Sequence, residues 1–200
     1  PMLVLLAEKD GRLVPDRQLR ASDLPGGAGE ANNADWKTVA IDDATGALYV
    51  PTGSIGFRWG EQGKWNLEGR DAKTLETIAP RLSQLGGASA AVTFPYFGDG
   101  APEFFNPTSL GDTVTHDVPV REVTLADGRS VKVATVYDLF LANYGVVREG
   151  AANYDAMAPY TPAWAEAVCG VPRQQTGTVA REFADNAEKT KGKPMVILRA

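Results

Sequence analysis

Through the first two thirds of the chain, apolar and polar positions alternate in short blocks broken by Gly, Asp and Pro, a pattern that predicts hairpins. The chain enters on Met2-Leu3-Val4-Leu5-Leu6, an apolar run that belongs inside a core, and turns at "EKDGRL". A three-residue loop Lys9-Asp10-Gly11, with Gly11 left-handed, is expected to set Glu8 opposite Arg12 and Leu6 opposite Val14. In "REVTLADGRSVKV" the same chemistry recurs, and a loop of Ala126-Asp127-Gly128 places Val123 across from Val131. A third hairpin is predicted through "KTVAIDDATGALYV", while "NLEGRDAKTLETIAPRLSQLGG" reads as partly helical.

The period then changes. "TVYDLFLANYG" sets Val136, Leu139, Phe140 and Tyr144 on one side of a helix that Gly145 stops. Thr161-Pro162 supplies an N-cap and a first-turn proline, and Gly170 closes that helix after Cys169. Pro172 opens the next, whose apolar stripe is Val179, Ala180, Phe183 and Ala187. Last comes "KGKPMVILRA", in which residues 194–199 read as a strand buried on both faces of a parallel sheet. Helices feeding such a strand with no neighbour to cover it predict a chain cut from something larger. The fold class expected is α+β, with a hairpin-rich, insertion-like region at 1–134 and a helix-helix-strand region at 135–200.

Composition narrows the chemistry. The chain has 200 residues, 44% hydrophobic and 22% charged, which is a globular composition. With 20 Lys and Arg against 25 Asp and Glu, it offers no overall attraction to nucleic acid or anionic lipid. One Cys and one His supply neither a disulfide nor the ligands of a zinc site or an iron–sulfur cluster. No run approaches the roughly 18 consecutive apolar residues of a membrane helix, so direct membrane insertion is not expected.

The most unusual stretch is "PTGSIGFRWGEQGKWNLE", which interleaves glycines with Arg58, Trp59, Lys64 and Trp65. Those four can form a contact surface of cations beside aromatic faces, or the tryptophans can simply cover the hairpins, as Trp usually does. "PGGAGE" at 25–30 lacks the strand, the helix N-terminus and the spacing of a phosphate-cradling loop. His116 and Asp117 are adjacent on a predicted strand and so point to opposite faces; a surface His beside a solvated carboxylate is expected. Cys169 reads as a buried structural thiol, and Asp42-Asp43, Asp99 and Glu103 as exposed turn carboxylates without calcium-loop spacing. The residues themselves nominate no catalytic, cofactor-binding or metal-ligating group.

Taken together, "PMLVLLAEKDG", "LRASDL", "WKTVA", "GSIGFRWGEQGKWNLE", "FPYFGDG", "VYDLFLANYG", "YTPAWAEAVCGVPR" and "VAREFADNAEKTKGKPMVI" resemble the catalytic alpha subunit of respiratory nitrate reductase. That subunit is a member of the dimethyl-sulfoxide-reductase superfamily of molybdenum enzymes. The resemblance implies a much longer parent that binds bis-molybdopterin guanine dinucleotide and an iron–sulfur cluster, with no ligand for either in this segment. It also implies the rest of the alpha subunit, an iron–sulfur beta subunit and a membrane-anchor subunit as partners, on the cytoplasmic side of the membrane. A chlorate, perchlorate or selenate reductase of the same branch is the nearest alternative. From another class, a binding module using the Arg58, Trp59, Lys64 and Trp65 surface is the rival. Thr176 and Gly177 depart from the family's bulky aliphatics, and a glycine inside a helix costs about 1 kcal/mol relative to Ala.

Overall fold

A computed structural model of the chain describes residues 2–29, 33–51, 69–71, 73–96, 112–143, 155–157 and 161–190. The chain forms two compact units, one from 1–56 with 66–143, the other from 57–65 with 144–200. The predicted strand at 194–199 lies outside the described residues.

The first unit is built on a six-stranded mixed sheet. Its strands are β1 (Leu3–Lys9), β2 (Arg12–Gln18), β7 (Ser89–Tyr96), β8 (Asp112–Pro119), β9 (Arg121–Thr124) and β10 (Ser130–Thr135), in the order β8-β7-β2-β1-β10-β9. Between β2 and β7 come two short ribbons, β3 (Ala40–Ile41) with β4 (Leu48–Tyr49) and β5 (Gly69–Arg70) with β6 (Thr77–Ile78). The predicted hairpin through residues 37–50 is therefore present. The stretch expected to be partly helical instead carries β5 and β6, because Asp71 accepts from the amides of Lys73 and Thr74 and turns the chain back at once.

Apolar runs without alternation become strands buried on both sides. Leu3 and Leu5 of β1 join one core cluster with Leu19, Leu24, Val39, Ile41 and Val133, while Leu6 joins the other with Val92, Phe94, Val118 and Ala134. Successive side chains point to opposite faces, so one strand serves two cores. Residues 19–29 and 33–50 cover the first face and are stitched to β1 by Leu3 N–H to Val39 O (3.0 Å) and Leu19 N–H to Leu3 O (2.9 Å).

The first hairpin corrects the expected register. Lys9 pairs with Arg12, Glu8 with Leu13, Ala7 with Val14 and Leu6 with Pro15, leaving a two-residue turn at Asp10-Gly11. Both turn residues adopt positive φ, 51° and 71°, the mirror-image turn whose twist matches the strands; Asp tolerates that conformation without a glycine. Opposite charges still meet, since Lys9 reaches Asp16 at 3.1 Å. In the second hairpin Val131 does pair with Val123, and Gly128 (φ 85°) closes the Ala126-Asp127-Gly128 loop by donating to Leu125 O.

Helix α1 (Val136–Asn143) packs on the second face of the sheet through Leu139 and Ala142. The expected buried face is corrected: Asp138, Leu139 and Ala142 are buried, whereas Val136 and Phe140 are exposed. Thr135 caps the helix, accepting from Asp138 N–H at 3.0 Å, and that capped turn faces the Asp138 side inward.

In the second unit, helices α2 (Pro162–Cys169) and α3 (Arg173–Lys189) form as their end signals predict. Thr161 Oγ1 accepts from Trp164 N–H (3.2 Å), and Gly170 ends α2 at φ 74°. Arg173 ties the pair, donating to Glu166 Oε2 (2.6 Å) and pairing with Asp155 (3.3 Å). The stripe of α3 exists but stays open to solvent, with Val179 and Phe183 both exposed.

Candidate functional site

Arg58, Trp59, Lys64 and Trp65, the predicted contact surface, lie outside the described residues, as do Asp99 and Glu103. The remaining candidates can be placed one by one.

His116 is not the surface side chain expected. Strand pairing sets it opposite Val92, and its ring lies half-buried and tilted against Phe94, centroids 6.2 Å apart, with Nε2 buried and unpartnered. Burial pushes its pKa below the ordinary 6.5, against a smaller opposing pull from Asp117. Asp117 is exposed and no hydrogen bond joins the two, so they form no acid–base pair.

Cys169 is exposed, which corrects the expected buried thiol. Ala163 is the buried residue of α2, and six residues on the side chain has turned about 240° away from it. Residues 25–29 form a tight turn in which Gly26, Gly27 and Ala28 are all left-handed, with no helix N-terminus to aim at a phosphate. Asp42 accepts from the amide of Thr45 (3.0 Å) and from its hydroxyl, which hold the carboxyl below its usual range, and Asp43 pairs with Arg81 (3.1 Å).

Three polar assemblies emerge that the sequence reading did not nominate. Asp138, with 1% of its surface exposed, accepts from Ser83 Oγ (2.6 Å), Gln84 N–H (2.8 Å) and Thr135 Oγ1 (2.9 Å), fastening segment 83–84 to the start of α1. Its signal was present as Thr135-x-x-Asp138, the spacing of a helix capping pair. Asp23 takes both arms of Arg17 at 2.7 Å and the amide of Arg20 at 2.7 Å, and its carboxyl falls below the usual range, chiefly through the Arg17 bonds. No local spacing announces that fork.

The third is a recess of about 760 Å³ beside the β3–β4 turn, lined by Asp43, Gly46, Arg81, Gln84, Gly86 and Arg121. Arg121 donates from Nη1 to Gly46 O at 2.6 Å. On the other side of the turn Tyr49 is 3% exposed with an unpartnered hydroxyl, and burial, with help from Asp42 and Asp71, pushes its pKa up to about 12.

Among the described residues, no three His, Cys, Asp or Glu side chains gather as a metal site. Asp23, Asp42, Asp71 and Asp138 are already engaged by backbone amides or hydroxyls of this chain, and Asp16, Asp43, Asp127, Asp155 and Glu166 by lysine or arginine, so the described donor set does not fit a metal centre. No helix there is long and apolar enough to cross a membrane.

No protein-family model matches the chain. It is 51% identical over 207 residues to the respiratory nitrate reductase 1 alpha chain of Escherichia coli strain K12, covering 100% of this chain and 16% of that relative. The nitrate reductase alpha chain of Bacillus subtilis strain 168 is 36% identical over 206 residues, again covering 100% and 16%. The nitrate reductase alpha subunit of Mycobacterium tuberculosis is 37% identical over 99% of this chain and 16% of its own length. The chain spans 16% of the length of these curated relatives. Its family is that of the respiratory nitrate reductase alpha chains.

Proposed function

We propose that the chain is scaffold within the molybdenum-containing catalytic subunit of a respiratory nitrate reductase, which reduces nitrate to nitrite with electrons from quinol passed through iron–sulfur clusters. The observation that carries this reading is identity of 51% along 100% of the chain to a respiratory nitrate reductase alpha chain. In this reading residues 1–134 are an insertion-like region, and 135–200 belong to the domain that holds bis-molybdopterin guanine dinucleotide. The bound molybdenum supplies the oxygen-atom chemistry, while the residues of this chain hold backbone in place. Asp138 does so here through hydrogen bonds from Ser83 and Gln84, 55 and 54 residues away, and Asp23 does so locally through Arg17 and Arg20. The partners are the rest of the alpha subunit, an iron–sulfur beta subunit and a membrane-anchor subunit on the cytoplasmic side of the membrane.

The test is turnover by the full-length alpha chain, assembled with its partners, on nitrate, chlorate, perchlorate and selenate with a reduced dye as donor. Nitrate is expected to give the highest kcat/KM; preference for another of the four oxyanions replaces this reading with the sister-enzyme alternative. Elemental analysis of the 200-residue chain alone separates scaffold from cofactor site. Stoichiometric molybdenum in it overturns the scaffold role.

A further inference from the structure

We propose that the recess beside the β3–β4 turn is a carboxylate-binding site with Arg121 as its principal cation. The inference rests on the geometry of the first unit and stands whether or not the nitrate reductase reading holds.

Two guanidiniums converge on one glycine. Arg121 donates to Gly46 O at 2.6 Å, and a Cβ built on Gly46 would lie 3.9 Å from Nη1 and 4.0 Å from Nη2 of Arg81. Arg81 has its counter-ion in Asp43, at 3.1 Å. Arg121 is half-buried, and among the described residues it has no carboxylate at ion-pair distance; the hydrogen bond it makes goes to a neutral carbonyl. Asp138 does not serve as that partner, since its oxygens take donors from Ser83, Gln84 and Thr135. Among the described residues, the recess therefore holds one more cation than anion.

Its shape suits a planar anion. A guanidinium carries five N–H donors in a fixed fork, and one bond to Gly46 leaves enough of them for two parallel bonds to a carboxylate. Gly86 (φ 91°) lines the recess, and an added Cβ there would meet nothing within 4 Å. A volume of about 760 Å³ accepts the end of an acidic side chain or a free dicarboxylate. The shared chemistry is the carboxylate, and the experiment separates its two sources.

The measurement is arginine footprinting of the full-length chain in its complex: phenylglyoxal labelling read per residue by mass spectrometry, with exposed Arg12 as reference. If the carboxylate is a free small molecule, Arg121 labels at the rate of Arg12 and slows about tenfold when succinate is raised to roughly ten times its Kd. Sodium chloride at the same ionic strength leaves that rate unchanged. If it belongs to a neighbouring polypeptide segment, Arg121 labels slowly without additive. The amine introduced by Arg121→Lys is then coupled by carbodiimide to an acidic residue outside the recess, which peptide mapping names. Labelling at the Arg12 rate regardless of succinate, or slow labelling with no coupled acid beyond Asp43, overturns the proposal.

Discussion

The strands β1 and β10 and the helices α2 and α3 solve the problem of staying folded in opposite ways. β1 and β10 place successive side chains in two different cores, with Leu3, Val133, Ala134 and Thr135 at 0% exposure. In contrast, α2 buries Ala163 and α3 buries no side chain; among the described residues, Thr161 and Gly170 cap α2, and Arg173 of α3 bonds Glu166 of α2. The difference teaches where the stability resides. Capping specifies where a helix begins and ends for about 1 kcal/mol apiece, whereas burying a leucine is worth about 2 kcal/mol and needs partners distant in sequence.

The largest effect that sharpens this contrast is truncation inside the sheet. Leu3→Ala should cost about 4 kcal/mol, since a fully buried leucine is lost and a cavity is left in a closed core; urea denaturation of the first unit measures it. Asp138→Ala should cost about 3 kcal/mol, because three donors lose their acceptor at a residue only 1% exposed. Faster proteolysis around residues 83–88 would accompany that loss, while unchanged cleavage there would show that Asp138 does not anchor the segment.

On the helical side the effects are smaller and of either sign. Thr161→Ala removes the N-cap of α2 and should cost about 1 kcal/mol of helix stability, read as faster amide exchange at Trp164. Gly177→Ala should stabilise α3 by somewhat under about 1 kcal/mol. The added methyl meets the flexible Arg181 guanidinium at an ordinary 3.5 Å, so nothing resists it. Phe183→Ala, at a site 43% exposed, should change stability of the 200-residue chain by less than about 0.5 kcal/mol.

A pH slope is the finest test. The folded pKa of His116 lies below its unfolded 6.5, so between the two values the unfolded chain binds more protons. The contribution of His116 is fully present above pH 6.5 and lost as pH falls through the depressed folded value. Denaturation midpoints measured from pH 7.5 downward should fall in that window, and His116→Phe should flatten that part of the slope.

How much of this could be read from the chain depended on how local the cause was. Helix ends at Thr161, Gly170 and Pro172 are set by residues within one turn, and the structure places them where the sequence does. The Val123–Val131 pairing follows from its own loop. The first hairpin slipped by one residue because Asp10, not Gly11 alone, takes the left-handed conformation, and charge matching at Glu8 and Arg12 was the weaker constraint. Nothing local specifies that β2 runs parallel to β7, paired at Leu13 and Val92 across nearly eighty residues, because that choice is made by the core. For the same reason the face of α1 was misjudged. A pattern of apolar residues marks Phe140 as buried, but a buried Asp138 held by Ser83 and Gln84 outranks it. Arg121 escaped notice as one charge among many until the fold set it beside Gly46 and Arg81.

Native-state hydrogen exchange compares the two regions in a single experiment on the 200-residue chain. Amides of β1 and β10 should be protected roughly a thousandfold more than those of α3, about 4 kcal/mol, because opening the strands breaches two cores and opening the helix breaches none. Equal protection at Leu5 and Phe183, or greater protection at Phe183, would contradict the account.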